Sequence, residues 1–190
     1  MKTDHLIFAD PPVDIDESWV HGAILGGMVG YDDESLARSY FMAGGMLIDQ
    51  VLQTGEGGQE VICPILYVYR HGIELYLKVI TQPADRNHSI GSLLDGFCQH
   101  VYEKWGQRVP VWISRPISQL AQYDPNSDLF RYGQTRRSSV SQRLKNSGEF
   151  WVDLNSLKRT MSNIEYAFQR VLVVDREGRE GLRRLASTLE

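Results

Sequence analysis

Apolar residues recur along this chain at helical rather than strand spacing. After Asp32, a good N-cap, Leu36, Tyr40, Leu47, Ile48 and Val51 fall on one face and predict a first helix. Gly44 and Gly45 lie inside it against their helix propensity, which implies close approach by another backbone. The segment TGEGG ends it. A second helix is predicted from about Glu60 to Gln82, with Pro64 tolerable near its start, and QPADRNHS breaks the chain after it. The third has the cleanest pattern: Ile90, Leu93, Leu94, Phe97, Cys98, Val101, Tyr102 and Trp105. VPVWIS reads as a short extended piece, and RPISQLAQY as a short helix with proline in its first turn. Turn formers fill 124–149, with a small hairpin expected around LFRYG. From Asp153, the steps Leu154, Leu157, Met161, Ile164, Phe168 and Val171 predict a long final helix, packed within the bundle or across a dimer.

These elements predict an all-α, up-and-down helical bundle over 32–174. An irregular N-terminal arm (1–31) precedes it, and a charged tail (175–190) frays from the last helix or extends it. The 190 residues suffice for one domain with a real core.

The second helix carries most of the candidate chemistry. On a wheel of about 100° per residue, Cys63, Tyr67, Arg70, His71, Glu74, Lys78 and Thr81 crowd into an arc of about 100°. The rest of its circumference is apolar or aromatic, apart from Gly72 and Pro64. It is therefore the predicted central helix, wrapped by protein on most sides. The polar stripe has two readings. One is a solvated ladder, Arg70–Glu74–Lys78, worth a few tenths of a kcal/mol per pair. The other is a lined cleft in which His71 exchanges protons and the cations bind an anion.

Composition sharpens this only in places. A net charge of −4 argues against a surface coated with positive charge for nucleic acid. The segment 129–148 nevertheless contains no acid while holding Arg131, Arg136, Arg137, Arg143 and Lys145, with Phe130 and Tyr132 beside the first arginine. Arginine forks bind phosphates and aromatic rings stack on unpaired bases, so Arg131, Tyr132, Arg136, Arg137 and Arg143 are nucleic-acid-binding candidates. A solvated loop, or a site for an acidic protein face, fits the same residues. Cys63 and Cys98 are too few for a disulfide scaffold, and no His/Cys spacing suggests a metal. The opening MKTDHLIFADPP lacks a signal-peptide core, and GAILGGMVGY is too short to span a bilayer. A soluble cytoplasmic protein without metal or cofactor is expected.

CPILYVYRHGIELYLKVI, followed by a break and HSIGSLL, resembles a group of prokaryotic HEPN-like proteins. Their pattern of Pro, an apolar-aromatic run, Arg-His, Glu-Leu, Lys and a later His is met by Pro64, Arg70, His71, Glu74, Leu75, Lys78 and His88. DLFRYG resembles a Phe-Arg-Tyr turn of the same group. The resemblance covers about residues 33–172. It implies a helical bundle, commonly dimeric, from toxin–antitoxin or anti-phage systems in which many members are metal-independent ribonucleases. Their active forms use an Arg followed four to six residues later by His, a pair absent from this chain. Proton transfer by His71 and His88, charge from Arg70 and Lys78, and orientation by Glu74 make up the candidate catalytic set. Two outcomes remain open: an RNA-binding protein able to cleave RNA, or a non-enzymatic immunity or scaffold subunit that dimerises and binds a protein partner from the same operon.

Overall fold

The computed structural model describes residues 22, 23, 25, 30–84, 87–125, 127–132 and 150–188, with side chains described for all but 132 and 179–188. The chain separates into two units, Met1–Asp32 and Asp33–Glu190. All regular structure among the described residues is helical and belongs to the second: α1 (Asp33–Thr54), α2 (Gly58–Thr81), α3 (Ile90–Trp105), α4 (Val111–Tyr123), the single turn α5 (Leu129–Tyr132) and α6 (Leu154–Thr188). The architecture is an all-α bundle. No helix among the described residues is long and apolar enough to cross a membrane.

The predicted central helix is central. α2 packs against α1, α3, α5 and α6, and no residue from Ile65 to Thr81 is exposed. Its apolar side chains Ile65, Tyr69, Ile73, Tyr76, Leu77 and Ile80 join one continuous core with Phe41 and Ile48 of α1, Phe97 of α3, Ile117 of α4, and Ile164 and Phe168 of α6. The periodic residues of the final helix are thereby consumed inside the bundle: Met161, Ile164 and Phe168 are buried within this chain, and Phe168 meets the rings of Tyr76 and Phe97. α6 runs antiparallel to α1, with Lys158 paired to Asp49 and Arg176 to Glu34.

α1 and α2 approach through reciprocal glycine–aromatic contacts. Tyr69 of α2 lies over Gly44 of α1, and Phe41 of α1 lies over Gly72 of α2. A Cβ on Gly44 would stand 2.7 Å from the Tyr69 ring, and one on Gly72 would stand 2.7 Å from Phe41 and 3.2 Å from the Ala37 carbonyl. The approach by another backbone expected at Gly44 and Gly45 is not what forms: Gly44 receives the Tyr69 ring, and the close backbone atom is the Ala37 carbonyl opposite Gly72. At Gly45 the nearest atom to a Cβ is the Tyr69 hydroxyl, at an ordinary 3.9 Å.

Three sequence expectations are corrected. VPVWIS is not extended: α4 already begins at Val111, because Ile113, Ile117 and Leu120 form one buried helical stripe that continues through Pro116. LFRYG is not a hairpin: Leu129–Tyr132 forms one helical turn whose leading amides, of Asp128 and Leu129, donate to the Asp124 carboxylate at 2.7 and 2.9 Å. α2 starts at Gly58 rather than Glu60, so Pro64 lies inside it, in its second turn, where both Pro64 and Glu60, four residues before it, are exposed. The charged tail continues α6 to Thr188.

The helix contacts yield a paired prediction. Gly72→Ala should destabilise the fold by about 1–3 kcal/mol through overpacking against Phe41 and the Ala37 carbonyl. Gly45→Ala should instead be neutral or stabilising, by up to about 1 kcal/mol, because only helix propensity changes there. Urea denaturation of the two variants checks the contrast.

Candidate functional site

Four of the five candidate catalytic residues meet around one carboxylate. Glu74, 2% exposed, faces out of the middle of α2. Its Oε1 accepts from Lys78 Nζ at 2.7 Å, one turn along the same helix, and lies 2.7 Å from His88 Nδ1. Its Oε2 accepts from Arg70 Nη1 at 3.2 Å. Arg70 itself is fully buried. Its Nε donates to the Asp124 carbonyl at 3.1 Å and lies 3.5 Å from Asp124 Oδ2, while Nη2 donates to the His88 carbonyl at 3.2 Å. The Arg70–Glu74–Lys78 spacing is thus neither the solvated ladder nor an open cationic cleft. It is a buried ion cluster with one exposed member.

That member is His88, with 72% of its side chain exposed. It comes from the connection between α2 and α3, which local contacts hold. Gln82 closes α2 in the left-handed region at φ 46°. Asn87 Oδ1 accepts from the Ser89 amide at 3.2 Å, and Ser89 N-caps α3 by accepting from the Ser92 amide. His88 therefore stands immediately before a fixed helix start. Together with Lys78 (18% exposed), Asp33, Leu75, Gln82 and Pro83 it lines a cavity of about 580 Å³.

Burial alone would raise the Glu74 carboxyl above its usual range. Hydrogen bonds from Lys78 and His88, then the charges of Lys78 and Arg70, outweigh it and hold the group below 4.5. Glu74 is ionised at neutral pH and can only accept, so a neutral His88 carries its proton on Nδ1. Nε2 is then the bare ring nitrogen, on the exposed side chain. A carboxylate that orients an imidazole beside an ammonium is an arrangement suited to taking a proton from a ligand whose anionic group the ammonium holds.

His71 does not join this group. Its ring packs edge-on against Tyr40 at 4.6 Å and parallel to Tyr67 at 6.0 Å, and it does not line the cavity. Burial lowers its pKa below 6.5, partly offset by Glu74, so it is neutral at neutral pH. Tyr67 also meets the basic segment, since the Arg131 guanidinium lies 5.7 Å from its ring centroid. Tyr132 closes α5. Arg136, Arg137 and Arg143 lie outside the described residues.

Two further groups escaped the sequence reading. Asp124 is fully buried and ties Arg70 to the corner between α4 and α5; an Asp before Pro-Asn-Ser signals a turn, but nothing local reveals its partner. Asp175 of α6, also buried, accepts from Lys104 and pairs with His100 Nε2 at 3.0 Å, joining α6 to α3. Seventy-five residues separate Asp175 from His100, and no periodicity connects them. Among the described residues, no three His, Cys, Asp or Glu side chains gather as a metal site.

The chain matches no protein-family model, no curated protein and no solved structure.

Because the folded pKa of Glu74 lies below its unfolded value, its contribution to stability is complete above about pH 4.5 and is lost as pH falls through the folded value. The urea midpoint should therefore drop as pH falls from about 6 to about 3. In Glu74→Gln the midpoint should be lower at neutral pH and the acid slope shallower; an equal slope would remove Glu74 from the acid transition.

Proposed function

We propose that this chain is a HEPN-like helical protein of a defence or toxin–antitoxin type system that binds RNA and cleaves it without a metal. The observation that carries the reading is the His88–Glu74–Lys78 group, in which His88 and Lys78 line the 580 Å³ cavity and the buried Glu74 contacts both. His88 Nε2 accepts the proton of a ribose 2′-hydroxyl. The 2′-oxygen attacks the adjacent phosphorus, and Lys78 offsets the charge that builds on the phosphate oxygens. The 5′-oxygen leaves with a proton from water at the open mouth, giving a 2′,3′-cyclic phosphate and a 5′-hydroxyl end. The HEPN-like pattern supports the same reading, because its Arg70, Glu74, Lys78 and His88 are the residues that meet here. The role expected of an Arg with a His four to six residues later falls instead to a lysine and a histidine from the following connection. Arg131 beside Tyr67 adds a cation and a ring for an unpaired base.

A second reading, a non-enzymatic interaction subunit, rests on Met42 and Met46 of α1 and Tyr166 of α6, each more than 60% exposed. The two separate in one experiment. Short single-stranded RNAs incubated with the protein in a chelator should yield cyclic-phosphate ends. His88→Ala should slow the reaction by about 10²–10⁴-fold, and His71→Ala should leave it within a few-fold. Activity should fall steeply with added salt. Wild-type protein that leaves RNA intact, or His88→Ala that cleaves normally, ends the nuclease reading and leaves the interaction subunit.

A further inference from the structure

Every nitrogen of the Arg70 guanidinium points at protein. Nε faces the Asp124 carbonyl and carboxylate, Nη1 the second oxygen of Glu74, and Nη2 the carbonyl of His88. The side chain is 0% exposed, so it cannot reach a ligand in the cavity. Two of its three hydrogen bonds go to the two members of the proton-transfer pair. One holds Glu74 Oε2 and so leaves Oε1 to face His88 and Lys78; the other holds the main chain from which the His88 ring hangs. An imidazole that is 72% exposed has little packing to order it. Its orientation must come from its backbone, from its one carboxylate contact at 2.7 Å and from Lys78 Nζ, which lies farther off at 3.5 Å from Nδ1.

Asp124 completes the arrangement. Its Oδ1 is taken by the amides of Asp128 and Leu129, while Oδ2, buried and without a hydrogen bond, lies 3.5 Å from Arg70 Nε. The guanidinium is thus pinned on the side away from the pair. With Arg70 and Lys78 set against Glu74 and Asp124, the cluster is neutral while His88 is neutral.

We propose that Arg70 is a positioning residue: its buried fork, anchored by Asp124, fixes Glu74 and the His88 backbone against each other, so that His88 keeps its proton on Nδ1 and offers Nε2 to the cavity. This rests on the His88–Glu74–Lys78 site of the proposed function but is independent of the substrate. A lysine at position 70 retains a buried positive charge, yet an ammonium lacks the planar fork needed to serve three acceptors in three directions. Charge and geometry therefore separate in Arg70→Lys, whereas truncation to alanine would strand two buried carboxylates and threaten the fold itself.

The test is long-range proton–nitrogen NMR of the His88 ring in ¹⁵N-labelled full-length protein, at a pH where His88 is neutral. Wild-type His88 should show the Nδ1–H tautomer, the minor form of free histidine, and Glu74→Gln should return it to Nε2–H. Folded Arg70→Lys should shift the population from Nδ1–H to mainly Nε2–H. Should that variant not fold, Asp124→Asn keeps the Oδ1 acceptor, loosens the anchor and should move the population the same way. Wild-type His88 in the Nε2–H form, or a folded variant with the wild-type tautomer, overturns the proposal. On RNA, if it is cleaved, Arg70→Lys should lower kcat and leave KM unchanged; a raised KM with the tautomer intact would make Arg70 a binding residue and overturn the proposal as well. RNA left uncleaved by wild-type protein would end the nuclease reading while leaving the tautomer result to stand.

Discussion

The buried Arg70 fork is the constraint on which the rest of this bundle is arranged. A charge without solvent is tolerated only when its donors are matched, and Arg70 draws its acceptors from three places: its own helix, the connection ahead of α3 and the corner after α4. Apolar packing fixes how the helices lie, but it is indifferent to how the connections between them are oriented. The guanidinium is not indifferent. It demands that the His88 and Asp124 carbonyls converge on one point, and so joins three segments of the chain. Such a cluster contributes less to net stability than well-packed hydrophobic residues of similar size would, so its value lies in specifying geometry.

The core supplies the complementary half. Glycines at 44 and 72 let α1 and α2 approach closely, each accepting an aromatic ring from the other helix, while Arg70 of the polar stripe meets the connection before α3 and the α4–α5 corner. The stripe is then divided by depth. Arg70 and Glu74 are fully enclosed, His71 is caught between tyrosines, and Lys78 and His88 reach the cavity. The face of α2 thus yields a structural arginine, an orienting carboxylate and a lysine able to meet a ligand, and the connection that follows it adds His88.

Asp175 repeats the theme at the far end of α3, where one buried carboxylate again receives a lysine and a histidine. There the histidine is 23% exposed and its neighbour is the Trp105 ring, so the group ties α6 to α3. The same three residue types serve connection in one place and an exposed proton acceptor in the other; the difference is how far the imidazole stands out of the protein.

Much of this fold was legible in the chain, because an amphipathic helix writes its period into its residues. The encircled character of α2 and the faces of α3 and α6 followed from spacing, apart from the exposed Tyr102. The buried stripe of α1 did not: it runs through Ala37, Phe41, Gly44 and Ile48, and of the five positions expected there only Ile48 is fully buried. The start of α4 and the turn α5 did not: a short element takes its state from its neighbours, here the apolar stripe of Ile113, Ile117 and Leu120 and the Asp124 side chain. For the site, local sequence determined that Arg70, His71, Glu74 and Lys78 share a face, since that depends only on a rotation of about 100° per residue. Only the tertiary structure decided that Arg70 is sealed, that His71 faces tyrosines, and that Asp124 and His88 complete the cluster. Burial and long-range pairing depend on which segments fold over a helix, and no residue's local spacing encodes that.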